Sequence, residues 1–320
     1  MHKIPLIQAP TPLHKLISFQ ENNVYAKRDD MTDLALGGNK ARKAEYYLAD
    51  AIECGCSHIV TYGSTESNHC RIVAAGAAKL GFSCTLVLSE PSEPPSYDGN
   101  FFMYDLLGAN IVYAPVERVS VIIDETMEKL RSKGENPYFI PGGGHGNLGT
   151  HAYVKAYEEL EEQKRSGNLW FDYIFLASGT GTTQAGILIG SRIFDHYDEQ
   201  VIGISVARST SRGEEVIRES ICDYIAEYDL DVCIRCQDVI LIDGYVGGGY
   251  GVIYPEVVDT VRRVARCEGI ILDPVYTGKA FWGMMQYVAE NELTGKNILF
   301  WHTGGIPLFF SHRDSFRNHD

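Results

Sequence analysis

No apolar run in the chain approaches the ~18 residues that mark a membrane-spanning helix, so no transmembrane segment is expected. Basic tracts are missing too. Lys and Arg number 28 against 42 Asp and Glu, and the net charge of −14 argues against nucleic acid and anionic lipid as partners. The opening MHKIPLIQAPTPLHK contains prolines and no continuous apolar core, so it does not read as a signal peptide, and the cytoplasm is the expected location. The eight cysteines show no disulfide framework. Cys233 and Cys236 form a single C-x-x-C with no second pair or histidine at zinc spacing, so they read as structural and no metal site is expected. Internal repeats and low-complexity linkers are absent. Neither a G-K-[ST] ending nor a G-x-G-x-x-G spacing occurs in the loop S-G-T-G-T-T-Q-A-G discussed below, which disfavours ATP and NAD there.

What is present begins with Leu36–Lys43, L-G-G-N-K-A-R-K. Ala41, Ala44, Leu48 and Ala51 recur at three- and four-residue steps, which predicts an amphipathic helix to about Gly55 with Lys40 at its start. The two glycines permit positive φ or close approach, and Asn39 is a helix-capping type. The positive end of the helix dipole should lower the Lys40 pKa, which suits an amine that forms a Schiff base. The competing reading is an ordinary surface lysine after a turn.

The 320 residues predict about two domains. Strands are expected at Asn23–Asp29, Ser57–Tyr62, Ser83–Ser89, Ile111–Ala114, Asp172–Ala177, Val201–Val206, Val239–Ile242, Gly269–Leu272 and Asn297–His302. Helices are expected at Arg71–Leu80, Phe101–Leu107, about Val119–Leu130 and Ile187–Phe194, with another carrying Tyr153, Ala156, Tyr157 and Leu160. This βαβ order predicts parallel sheets with helices on their faces. Glu90–Gly99, with three prolines, reads as a loop.

Five further stretches offer chemistry. Between a strand and an apolar helix lies S-G-T-G-T-T-Q-A-G, whose amides and the hydroxyls of Ser178, Thr180, Thr182 and Thr183 form a phosphate cup that contains no lysine; an unliganded turn is the alternative. In the loop Ser64–Cys70, Ser67, Asn68 and His69 offer donors to a carboxylate, with Ser67 alternatively a simple cap and His69 a satisfied buried group. G-Y-V-G-G-G-Y-G, D-P-V-Y-T-G-K and H-T-G-G-I-P place tyrosines and Thr303 at loops between elements.

In that order, L-G-G-N-K-A-R-K, S-N-H-C-R, S-G-T-G-T-T-Q-A-G, G-Y-G, D-P-V-Y-T-G-K-A and H-T-G-G-I-P resemble the D-cysteine desulfhydrases and 1-aminocyclopropane-1-carboxylate (ACC) deaminases, from about Thr11 to Phe310. These are pyridoxal 5'-phosphate enzymes of fold type II, the tryptophan synthase β group. The resemblance implies two open, mainly parallel α/β domains, 1–50 with 150–320 and 51–149, holding the cofactor in the cleft between them. By the same resemblance Lys40 is the Schiff-base lysine, and Ser178, Gly179, Thr180, Gly181, Thr182 and Thr183 hold the phosphate. Asn68 contacts cofactor or substrate, Ser67 faces the reacting carbon, and His69 belongs to the substrate loop. Tyr250 and Tyr276 match the two active-site tyrosines, and Thr303 the residue facing the pyridine nitrogen. A neutral hydroxyl there makes a weaker electron sink than a carboxylate and favours substrates with a good β leaving group. The deaminase branch resembles the chain less, carrying Glu at the position of Thr277 and Leu at that of Thr303. Members commonly have Gln where this chain has Glu66 and Ile72, which bears on the substrate.

The expected activity is β-elimination from D-cysteine to pyruvate, ammonia and hydrogen sulfide by a homodimer. The alternatives are ACC deamination or another amino-acid lyase activity. From a different class, a non-catalytic metabolite binder of the same fold is the rival.

Overall fold

The computed structural model describes residues 2–91 and 93–317, so Ser92 of the expected Glu90–Gly99 loop lies outside the described residues. The chain begins with strands β1 (Leu13–Lys15) and β2 (Asn23–Arg28) and helix α1 (Asn39–Glu53). Next come β3 (His58–Gly63), α2 (Asn68–Leu80), β4 (Ser83–Ser89), α3 (Gly99–Leu106), β5 (Asn110–Ala114), α4 (Val119–Ser132) and β6 (Pro137–Ile140). After a glycine turn follow α5 (Asn147–Gly167), β7 (Tyr173–Ser178), α6 (Thr182–Ile193), β8 (Gln200–Ser205), α7 (Thr210–Tyr228) and β9 (Ile240–Ile242). The last elements are α8 (Pro255–Glu268), α9 (Thr277–Glu290), β10 (Asn297–His302) and α10 (Ile306–Ser311).

Two sheets result. Four strands pair in the order β5-β4-β3-β6, all parallel, and six in the order β1-β2-β10-β7-β8-β9, parallel except for β1 against β2. Strands covered on both faces need continuous apolar runs, and the buried Ile298–Trp301 stretch of β10 supplies one. Helices cover the sheets, and none among the described residues is long and apolar enough to cross a membrane.

Close helix packing depends on two glycines of α6. A Cβ at Gly186 would lie 2.5 Å from Tyr153 Cβ, and one at Gly190 equally close to Tyr157 Cβ, so α5 rests directly on the α6 backbone. On α1, Ala41, Ala44, Leu48 and Ala51 pack against Ile72 and Val73 of α2 and Ile59 and Leu86 of the four-stranded sheet. The boundary expected near residue 50 therefore falls inside a helix whose apolar face belongs to that sheet's core.

Beyond β1 and helices α7 to α10, which were not among the expected elements, the structure departs from expectation at two further places. Gly269–Leu272 joins no sheet: Gly269 closes α8 at φ 65°, and Ile270 and Leu272 are buried against Phe281 and Phe300 without backbone pairing. Burial of alternate side chains gave that stretch a strand's pattern. Conversely, β6 was not expected, because PYFI begins with proline and is only four residues long. Pro137 sits at the first pairing position, opposite His58, where its missing N–H is tolerated.

Candidate active site

The carboxyl ends of β3, β6, β7, β8 and β10 turn toward one cavity of about 900 Å³, the usual ligand position in parallel α/β sheets. Both sheets contribute to its walls. Lys40, Ser67, Asn68, His69, Ser178–Gly181, Thr183, Tyr250, Tyr276 and Thr303 all line it.

Lys40 stands in the first turn of α1. The N-cap is Gly38, at φ 116°, and Asn39 is already helical, so the capping role expected of Asn39 is not what its side chain does. Its Nδ2 donates to Thr183 Oγ1 at 3.1 Å and its backbone N–H to the Thr303 carbonyl at 2.9 Å, joining three of the motifs. Lys40 Nζ donates to the Gly143 carbonyl at 3.0 Å, and burial lowers its pKa to about 8. Desolvation is the cause, where the sequence suggests the helix dipole.

The loop expected to form a phosphate cup without a lysine does have one beside it. Lys43, one turn after Lys40 on the same helix face, donates from Nζ to Thr182 Oγ1 at 2.6 Å beneath the β7–α6 loop. Burial first, and then Lys40, hold its pKa well below the usual lysine value. Thr182 is fully buried, and its hydroxyl is taken up by Lys43 rather than open to the cavity. Arg208 donates to the Gly179 carbonyl, which fixes the start of the loop from outside. Among the described residues Lys40, Lys43, Arg71 and Arg208 form no ion pair, and the one carboxylate on the cavity wall is that of Glu219. The site's donor set suits an anion with several oxygens.

Opposite lies the β3–α2 loop. Ser67 caps α2, its Oγ accepting from Cys70 N–H at 3.2 Å, while also lining the cavity. Asn68 Oδ1 accepts from Asn100 Nδ2 at 2.9 Å and Arg71 at 3.3 Å, leaving its amide NH₂ as the free donor. Thr61 gives its proton to the Ile140 carbonyl at 2.7 Å and so accepts from His69 Nε2 at 2.8 Å. His69 is thus satisfied, and burial with Lys40 and Lys43 nearby drives its pKa well down and keeps it neutral. Glu66 does not face the cavity: its carboxylate meets His312 Nε2 at 3.1 Å.

On the third side the Tyr250 and Tyr276 hydroxyls are 2.5 Å apart. Burial raises both pKa values, that of Tyr276 further. Tyr276 is placed by Asp273, whose Oδ1 accepts from the Val275 and Tyr276 N–H groups at 2.9 and 2.7 Å. Thr277 is fully buried and donates to Asp273 Oδ2 at 2.7 Å, so its side chain does not enter the cavity. Thr303 does line it.

Sequence reasoning missed Lys43, His145 and Arg208 as site residues. The spacing of Lys43 from Lys40 was a usable signal; His145, in the glycine turn after β6, and Arg208, in the loop after β8, carried none.

A family model described as "Pyridoxal-phosphate dependent enzyme" matches residues 4–304. Among curated relatives, "Putative 1-aminocyclopropane-1-carboxylate deaminase" of Pyrococcus horikoshii is 38% identical over 322 residues, 98% of this chain and 94% of the relative. "D-cysteine desulfhydrase" of Yersinia pestis is 35% identical over 319 residues, 97% of this chain and 96% of the relative. A solved ACC deaminase homologue superposes with a TM-score of 0.89 at 37% identity, covering 98% of this chain and 95% of that one. An O-ureido-L-serine synthase structure, 16% identical with a TM-score of 0.69, shares the fold. The chain therefore belongs to the pyridoxal-phosphate-dependent enzymes, in the branch that holds the ACC deaminases and D-cysteine desulfhydrases.

Proposed function

We propose that the enzyme is a D-cysteine desulfhydrase, splitting D-cysteine and water into pyruvate, ammonia and hydrogen sulfide. The residues fit the cofactor. Lys43, buried with no acid, and the β7–α6 loop amides would hold a phosphate, with Ser178, Gly179, Thr180, Gly181 and Thr183 at the cavity wall and Thr182 acting through Lys43. Lys40, with its lowered pKa, would carry the aldehyde carbon. When bound, the cofactor supplies an electron sink for charge developing at the substrate Cα.

The α-carboxylate would be received by the Asn68 NH₂ and the Ser67 hydroxyl at the start of α2. Lys40 Nζ, neutral in a useful fraction near pH 8, would take the Cα proton. The Tyr276–Tyr250 pair would orient the β-substituent and protonate poor leaving groups. A thiolate, stable near its pKa of ~8.5, needs little such help.

The single observation that carries the choice of substrate is the cavity wall at Thr303 and Thr277. A neutral hydroxyl lines it at Thr303, and the Thr277 position offers the cavity no carboxylate, its side chain being spent on Asp273. By the resemblance these are the places where the deaminase branch carries Leu and Glu. ACC deamination, favoured by the names of several relatives, is the competing outcome.

Incubation with D-cysteine, L-cysteine and ACC, with pyruvate, 2-oxobutanoate, ammonia and sulfide assayed separately, tests the assignment. Sulfide and pyruvate from D-cysteine support it, 2-oxobutanoate from ACC as the main activity replaces it, and no turnover of any amino acid favours a binder. Lys40→Ala should lose the cofactor's protein-bound absorbance; retention would remove Lys40 from its role. Tyr276→Phe should slow serine by ~10²-fold or more and β-chloroalanine far less, whereas equal losses would make it a positioning residue. The homodimer is part of the proposal, and sedimentation equilibrium decides it.

A further inference from the structure

Four consecutive residues ahead of α1 have positive φ: Ala35 at 45°, Leu36 at 66°, Gly37 at 65° and Gly38 at 116°. Glycine adopts such values freely, but Ala35 and Leu36 do so only where surrounding contacts hold them. At Gly37 a side chain is excluded outright, since a Cβ would lie 2.5 Å from the Asp30 carbonyl. From this left-handed segment the helix bearing Lys40 begins.

Part of what holds it is local. Gly37 N–H donates to the Leu34 carbonyl at 2.9 Å, and Gly38 N–H to Thr32 Oγ1 at 2.8 Å and the Asp29 carbonyl at 3.0 Å. The rest comes from the neighbouring helix α2. Arg71, on α2, places one guanidinium nitrogen on the Ala35 carbonyl and the other on the Gly37 carbonyl at 3.0 Å. It has no solvent exposure and no carboxylate partner among the described residues, so carbonyl oxygens are what it was buried to meet. That second nitrogen also reaches Asn68 Oδ1 at 3.3 Å.

We propose that Arg71 is a positioning residue for the active site, clamping the left-handed Ala35–Gly38 segment that launches Lys40 and fixing the Asn68 amide with the same guanidinium. The planar fork matters. A lysine would keep the charge but serve the two carbonyls from one point, leaving one of them poorly met. The geometry also joins the two sheets' contributions, because α2 belongs to the four-stranded sheet and the Asn39 N–H bonds to Thr303 of the six-stranded one.

This inference rests on the roles proposed for Lys40 and Asn68, and its test separates from theirs. Hydrogen exchange of holoenzyme and apoenzyme is compared for wild type and Arg71→Lys, together with the cofactor Kd. Expected for R71K is exchange at least tenfold faster over residues 33–39, with less than threefold change over β3 and β4, and a cofactor Kd raised tenfold or more. Ala35→Gly in the R71K background should recover at least threefold of that affinity, because glycine holds positive φ without a clamp. A merely space-filling Arg71 predicts acceleration spread evenly through the small sheet, no rescue, or a Kd within twofold of wild type, and any of these overturns the proposal. Should R71K not fold, Ala35→Gly alone decides: relief of a held strain raises the thermal midpoint, and a fall overturns it. Failure of Lys40→Ala to lose the cofactor would reject the Lys40 assignment while leaving the loop-exchange result to stand on its own.

Discussion

Two lysines one turn apart, both stripped of water and neither paired with an acid among the described residues, carry the proposed chemistry at the level of single residues. Lys40 is held near a pKa of about 8 by burial, so its free amine fraction rises steeply between pH 7 and 9. The rate at which apoenzyme captures pyridoxal phosphate should therefore rise with pH and level off just above pH 8; a plateau delayed to ~10.5, the ordinary lysine value, would contradict the burial. Lys43 makes a different prediction. In apoenzyme it is an uncompensated buried amine, so Lys43→Met should leave apoenzyme stability unchanged or raise it. The same change should weaken cofactor binding by ~10- to 100-fold, the worth of ~1.5–3 kcal/mol for a hydrogen bond to a charged group. Equilibrium titration and thermal unfolding of the apoenzyme check the two signs together.

At the scale of elements, the turn after α10 meets the loop before α2. Glu66 and His312 pair at 3.1 Å, and Asn100, at the start of α3, donates to the Glu66 carbonyl at 2.8 Å. The hydrogen bond to Glu66 raises the His312 pKa, with Asp273 and Asp98 adding to it and burial opposing. A histidine raised in the folded state contributes fully below its unfolded pKa of ~6.5 and loses the contribution as pH rises through the folded value. Both side chains are partly exposed, so the pair is worth less than ~1 kcal/mol. Above that pH the Glu66 charge stands unmasked next to the loop proposed to bind carboxylate. The substrate KM should then rise roughly two- to fivefold across the His312 titration, and Glu66→Gln should flatten that profile. An identical profile in E66Q would detach the pair from substrate binding. The residue that looked out of place beside an anion site in the sequence is accounted for by a histidine almost 250 positions away, which no local pattern announces. Elements with local signals were legible: β4 and β10 match their expected limits, and α1 follows its alanine spacing. What escaped was set by tertiary contact. Burial alone imitated a strand at Gly269–Leu272, a proline disguised β6, and Lys43, read only as part of a motif, proved to hydrogen-bond a loop over a hundred residues later.

For the whole molecule, the cavity is shared between two sheets that have separate apolar cores. Ser67, Asn68 and His145 reach it from the four-stranded side, and Ser178–Gly181, Arg208 and Thr303 from the six-stranded side. A ligand gripped by both adds its binding energy to the cohesion of the two units as well as to each one. Cofactor at ~1,000 times its Kd contributes about 4 kcal/mol to the folded state. For 320 residues, with an unfolding entropy of ~2.1 cal/mol/K per residue, each kcal/mol moves the midpoint by about 1.5 °C. Removing the cofactor should therefore lower the thermal midpoint by about 6 °C. It should also broaden the transition or divide it, because the cleft then keeps only the protein's own cross-links, among them Asn39 to Thr183 and the Thr303 carbonyl and Glu66 to His312. Calorimetry of holoenzyme and apoenzyme measures both effects. A single sharp transition in apoenzyme, shifted by less than ~2 °C, would mean that α1, which packs on one sheet and starts against the other, already welds the two into one cooperative body without help from the ligand.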